Sequence, residues 1–148
     1  MEIIGLRYFN IFGPRQNPKG AYAAAIPLFI ESLKQNKVLY INGDGEQTRD
    51  FTFVENAVQG NINALFTMEK EAIGKVFNIA VSEKISVNKL FTILKQLTNS
   101  SLNPTYREQR QGDVKESLAD ISLAETLLNY SPKIKVEQGL KITVDCFK

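Results

Sequence analysis

The chain has 148 residues, 43% hydrophobic and 23% charged, a balance that describes one ordinary globular domain long enough to bury a core and excludes a disordered tail. Lys and Arg total 18 against 16 Asp and Glu; with a net charge of +2 and no basic stripe, nucleic acid is not an expected partner. There is no histidine and only one cysteine, Cys146, which removes Ser-His-Asp, Cys-His and His-metal chemistry along with any internal disulfide, and suits a reducing, cytoplasmic setting. The longest largely apolar stretch, Ala21 to Ile30, is well short of the ~18 residues a membrane span needs. Only four uncharged residues separate Glu2 from Arg7, too few for a signal segment. No membrane partner is expected.

In chain order, Ile3 to Phe9 reads as a strand, β-branched and aromatic, closed by Asn10 and the Gly13-Pro14 turn. Its near-continuous apolar character predicts burial on both faces inside a parallel sheet. After a polar loop from Arg15 to Gly20, the spacing of Ile26, Phe29, Ile30 and Leu33 predicts a helix that tolerates Pro27 in its first turn and ends at Asn36. Val38 to Ile41 is a short strand, and Gly43-Asp44-Gly45 turns the chain into a second one around Thr48 to Phe53. Thr52 and Glu55 match a capping box, with Thr52 as N-cap of a helix carrying Val54, Val58, Ile62, Leu65 and Phe66 on one face.

Val76 to Ala80 is another strand, entered through Gly74. Ser86 is placed to cap a helix with Val87, Leu90, Phe91, Leu94 and Leu97 facing inward. Pro104 to Arg107 is a short extended piece, Asp120 caps a helix from Ile121 to Leu128, and Val136, Leu140, Val144 and Phe147 mark a last helix. The mixture is α/β or α+β. The strands at 3–9 and 76–80 read as central, yet few other parallel strands are present to flank them. An unpaired sheet edge is costly or adhesive, so the chain reads as part of something larger and self-association is expected.

Polar residues gather in three places. Asn10 and the loop Gly13-Pro14-Arg15-Gln16 follow the first strand, where open α/β sheets bind ligands; the plainer reading is a solvated turn with Asn10 bonding local backbone. Arg49 lies within a strand-like run after the two glycines, where a rigidly held guanidinium fork suits a phosphate; the plainer reading is an ion pair with Asp50 or Asp44. Arg110 and Asp113 have the chemistry for a second phosphate oxygen and a ribose hydroxyl, against the plainer reading of a surface charge cluster. Cys146 reads as a small packing residue.

The nine glycines never form G-x-x-G-x-x-G or G-x-G-x-x-G, and no Tyr is followed four residues later by Lys. No local cluster supplies a nucleophile beside a base. These residues hold no self-sufficient catalytic centre.

Four stretches, LRYFNIFGPRQNPKGAYAAAIP, INGDGEQTRDFTFVENAVQGN, VFNIA and REQRQGDVKESLAD, in this order and spacing, resemble the C-terminal portion of NAD-dependent epimerase/dehydratase proteins. These form the extended short-chain dehydrogenase/reductase family acting on nucleotide sugars. The likeness runs from about Leu6 to Phe147, and GAYAAAIP and YINGDGE look most like UDP-N-acetylglucosamine 4-epimerases, including those acting on the uronic acid. The resemblance implies an α/β fold made of a small mixed substrate domain plus strands that would complete a Rossmann sheet. It implies NAD as cofactor, held mainly by an N-terminal Rossmann region that supplies the glycine-rich loop and the Tyr-x-x-x-Lys pair, neither of which occurs here. It further implies a UDP-sugar as partner. Carried over by position, Asn10 would bond the diphosphate and Arg49 and Arg110 would clamp it. Ala24, Ala25 and Phe29 would line the uracil and ribose pocket, Tyr40 and Asn42 would contact the uracil region, and Asp113 a ribose hydroxyl. Tyr8 would lie near the nicotinamide, and Gln16 and Ser117 would face the sugar. Glu116 departs from the pattern, since related epimerases often carry His there. A 4,6-dehydratase or decarboxylase of the same family, or a non-catalytic nucleotide-sugar-binding module, would share these features.

Overall fold

The first strand is bent by a single residue. In the computed structural model, which describes residues 1–18 and 24–147, β1 (Gly5–Tyr8) and β2 (Ile11–Phe12) are separated by Phe9 and by Asn10, the latter at φ 39°. Asn tolerates this left-handed conformation better than most residues. The bend lets β1 pair in parallel with β6 (Val76–Ile79) while β2 pairs in parallel with β5 (Thr52–Phe53). Two further ladders complete the strands: β3 (Tyr40–Asn42) runs parallel to β8 (Thr105–Arg107), and β4 (Thr48–Asp50) runs antiparallel to β7 (Lys84–Ser86). The strand expected at 3–9 is therefore shorter, and β1 is not buried on both faces: Tyr8 is exposed and, among the described residues, β1 pairs with β6 alone.

The helices are α1 (Ala25–Gln35), α2 (Val54–Phe66), α3 (Val87–Leu97), α4 (Ser122–Leu128) and α5 (Val136–Cys146). None is long and apolar enough to cross a membrane. As the spacing predicts, α1 buries Ile26, Phe29, Ile30 and Leu33, and it closes on Asn36 in the left-handed conformation. Ser86 caps α3, its Oγ accepting from Lys89 N–H at 3.2 Å. Asp120 serves α4 from one residue further out than expected: the helix begins at Ser122, whose N–H donates to Asp120 Oδ1 at 2.9 Å. That backbone bond holds the Asp120 carboxyl below its usual range.

Helix α2 departs from its prediction twice. Thr52 does not cap it; Thr52 belongs to β5 with its hydroxyl buried, and the helix starts at Val54 after Phe53, with no side-chain cap. The inward face is also the other one. Asn56, Ala57 and Gly60 are buried, whereas Val58, Ile62, Leu65 and Phe66 are exposed, the last two at 75% and 73%. Periodicity reveals a stripe without saying what covers it. Here two local features decide. Asn56 donates to Ile134 C=O at 2.7 Å and accepts from the N–H groups of Lys133 and Ile134 at 3.0 and 3.1 Å. Gly60 allows the helix to approach β6 so closely that a Cβ there would lie 2.9 Å from Ile79 Cδ1.

Two apolar cores result. The larger joins α1, α3 and α5 to β2, β3 and β5 through Phe12, Ile30, Ile41, Phe53, Leu90 and Leu140. Phe12 meets Phe53 and Phe51 edge-on, with centroids 5.6 and 6.5 Å apart, and Gly139 of α5 lies against the Phe12 and Phe53 rings. The smaller gathers Phe77, Ile79, Ile121, Leu128 and Tyr130 between β6 and α4. Asp50, fully buried, bridges the chain between them by accepting from Val81 and Ala119 N–H at 3.1 and 3.3 Å. Burial raises its carboxyl above the ordinary value of 3.8, with those backbone bonds opposing the rise.

Candidate functional site

A cavity of about 290 Å3 opens beside the larger core. Its apolar floor comes from α1, where Ala25, Leu28 and Phe29 face it next to Ala24, and from Phe12 and Phe51. Its polar wall comes from the bend at Asn10, from Tyr40 and Asn42 on β3, from Arg49 on β4, from Arg107 at the end of β8, and from Arg110 and Asp113 after it. Strand alternation buries Ile41 in the core, where it also borders the cavity, and leaves its neighbour Tyr40 half exposed.

Arg49 is held by three bonds. Its Nη1 donates to Thr48 C=O at 2.7 Å and Val114 C=O at 2.6 Å, and its Nη2 pairs with Asp113 Oδ1. The partner is thus Asp113 and not Asp44 or Asp50, which corrects the plainer expectation. With Nη2 and Nη1 so engaged, the Nε–H and the second Nη2 hydrogen stay available. Arg110, in the segment after β8 that also carries Asp113, makes no ion pair among the described residues. Asn10 donates one amide hydrogen to Asp50 C=O at 2.9 Å, a long-range bond to β4 and not the local turn bond of the plainer reading, and it lines the cavity.

Nine of the twelve residues singled out from sequence therefore line one cavity: Asn10, Ala24, Ala25, Phe29, Tyr40, Asn42, Arg49, Arg110 and Asp113. The other three lie outside it. Gln16 donates back to Ile11 C=O at 3.2 Å, Ser117 gives its N–H to Thr48 C=O at 3.1 Å, and Tyr8, at the end of β1, donates to Asn61 Oδ1 at 2.9 Å. Glu116 pairs with Lys84 at 3.0 Å on the surface. Residues 19–23, which belong to the GAYAAAIP stretch and the end of its preceding loop, fall outside the described residues.

Arg107 and Gln47 belong to the polar clusters of the sequence, but sequence reasoning gives them no role in the site. Arg107 reaches the cavity because β8 pairs with β3 in a register that sets it opposite Asn42, and such long-range pairing leaves no local signal. Gln47 Nε2 donates to Asn42 C=O at 2.9 Å and steadies the turn below it.

Cationic forks above an apolar floor of aromatic and small side chains form a site suited to a ring-bearing anion, on a mixed α/β frame. Residues 1–80, just over half of the chain, match the family model described as NAD dependent epimerase/dehydratase family, and the chain belongs to that family. A curated relative, the putative UDP-glucose 4-epimerase of Methanocaldococcus jannaschii, is 36% identical over 148 residues, covering all of this chain and 46% of the relative. The crystal structure of the Thermotoga maritima UDP-glucose 4-epimerase with UDP-glucose superposes with a TM-score of 0.92 at 36% identity, over 99% of this chain and 46% of that one. The UDP-N-acetylglucosamine 4-epimerase of Methanobrevibacter ruminantium, in complex with UDP-N-acetylmuramic acid, gives 0.90 at 37% identity, over 99% and 46%. The chain thus spans about half the length of the relatives it matches.

The family uses NAD, but the residues described here do not form a dinucleotide cradle by themselves. The one turn with paired glycines, between β3 and β4, is filled by protein: a Cβ on Gly45 would lie 2.1 Å from Asn88 Oδ1. A pyrophosphate needs open backbone at that point.

Proposed function

We propose that these residues form the nucleotide-sugar-binding portion of an NAD-dependent UDP-sugar 4-epimerase, acting on UDP-N-acetylglucosamine and UDP-N-acetylgalactosamine or the corresponding uronic acids. The observation that carries the reading is the convergence of Arg49 and Arg110 on one cavity with an apolar floor. The diphosphate takes the free hydrogens of Arg49 and the unpaired Arg110, with the amide of Asn10 beside them. Phe29, Ala24 and Ala25 cover the ribose and base, and Tyr40 and Asn42 meet the base. Asp113, already bound to Arg49, aims the fork and has its second oxygen for a ribose hydroxyl.

In this assignment the chain's task is to hold the nucleotide firmly and leave the hexose free to turn. NAD supplies the hydride acceptor and donor; an N-terminal Rossmann region holds it, with Tyr8 at its near boundary, and furnishes the acid–base pair. Gln16 and Ser117, outside the cavity formed by this chain, face the sugar once that second wall is present. The residues here are expected to be catalytically inert alone.

Calorimetric titration of the chain with UDP tests the reading. Binding is expected, and Arg110→Ala should weaken it by about 1.5–3 kcal/mol, the range for a hydrogen bond to a charged group. Unchanged affinity would remove Arg110 from the site. Conversion of UDP-N-acetylglucosamine by this chain with added NAD would show the chemistry to be misplaced.

A further inference from the structure

Arg107 carries two contacts that no role so far assigned explains. Its guanidinium carbon lies 5.1 Å from the centre of the Tyr40 ring, and its Nε donates to Asn42 Oδ1 at 2.6 Å. The backbone holds both ends of this arrangement. Asn42 sits opposite Arg107 in the β3–β8 ladder, Gly43 N–H donates to Arg107 C=O at 2.8 Å, and Thr105 N–H donates to Leu39 C=O at 2.8 Å. Tyr40, Asn42 and Arg107 all line the cavity.

The chemistry of the Arg107–Asn42 bond has one consequence. An arginine Nε–H can only donate, so the amide atom facing it must be the oxygen. The carboxamide of Asn42 is thereby locked in one of its two flips, with Nδ2 as its remaining end and a donor only. Without Arg107 the two flips are similar in energy and the amide offers either a donor or an acceptor.

Resting on the reading of this cavity as a nucleotide site, we propose that Arg107 is a positioning residue that makes Asn42 a fixed hydrogen-bond donor, so that the cavity selects a pyrimidine with a carbonyl at position 4 over one with an amino group there. Uracil accepts from the Asn42 amide. Cytosine presents its own N–H to that donor, leaving both unsatisfied. Tyr40, held by the guanidinium over its ring, supplies the platform beside the reader. The selectivity thus comes from a residue that touches the base only through its neighbour.

The test is the ratio of affinities for UDP and CDP, measured by calorimetry on the full chain and on two variants. The wild type is expected to prefer UDP by about ten-fold or more, the size set by an unsatisfied polar pair. Asn42→Asp keeps an oxygen for Arg107 and presents an acceptor in place of the donor, so the preference should invert toward CDP. Arg107→Lys keeps a positive charge beside Tyr40 but loses the planar fork that fixes the Asn42 amide, so both affinities should persist while the ratio falls toward one. Because each ratio is read within one protein, a general loss of stability does not imitate either result. UDP binding with the same ratio in all three proteins would overturn the role of Arg107 and Asn42 while leaving the nucleotide site intact. Absence of UDP binding to the wild type would overturn the site itself and this proposal with it.

Discussion

The two halves of the molecule treat their apolar residues in opposite ways. Around the cavity, α1, α3 and α5 enclose Phe12, Phe53, Ile30 and Leu94 almost completely, and what apolar surface remains lines a concave site. Around β1 and α2, the small or polar face packs inward, and Ile62, Leu65, Phe66 and Met68 stand in solvent beside a strand with an open edge. The first half is a finished core with a binding surface. The second leaves large apolar side chains in solvent, in a chain that spans about half the length of its relatives. A hydrophobic stripe therefore marks where something packs, and only the polar anchors tell whether the partner lies within these residues.

This contrast can be broken by substitution. The largest effect is expected at the finished core: Phe53→Ala, at a ring packed against Phe12 and Gly139, should cost about 3–5 kcal/mol in denaturant unfolding. A loss below about 1 kcal/mol would mean that this core is loosely packed. Asp50, between the halves, comes next. Asp50→Asn leaves one of the Val81 and Ala119 N–H groups without its acceptor and should cost about 1–3 kcal/mol. Its pH dependence has a definite sign. Burial lifts the native carboxyl above its unfolded value of 3.8, so its contribution is fully present below that value and is lost as pH rises through the native one. The stability gap between wild type and Asp50→Asn should thus be widest near pH 4 and narrow toward neutrality. A gap that widens with pH would contradict the assignment. The smallest stability effect is expected on the open half, where Leu65→Glu should change unfolding by no more than about 0.5 kcal/mol. The same change should reduce the self-association expected of the wild type in sedimentation. A wild type that sediments as a monomer would show the open half to be tolerated bare.

The sequence foreshadows the halves unequally. Helices α1, α3 and α5 are legible because their apolar residues repeat at the helical period and their ends carry local signals, Ser86 at a start and Asn36 at a stop. Helix α2 has an equally clear period, but its orientation is decided by Asn56 and Gly60 contacts made more than fifteen residues away in sequence. The cavity is legible as far as its parts lie in recognisable stretches, which is how Arg49, Arg110 and Tyr40 stand out before any fold is known. The Arg49–Asp113 pair and the Arg107–Asn42 bond arise from chain segments about sixty residues apart, and local spacing carries no trace of either.

The most direct test of the central claim is a nitrogen-15 correlation spectrum of the chain recorded as UDP is added. The account predicts that signals of Asn10, of residues 40–49 and of residues 106–113 move together and saturate, while those on the exposed face of α2 stay where they are. Shifts confined to β1 and α2, or a spectrum that UDP leaves unchanged, would contradict it.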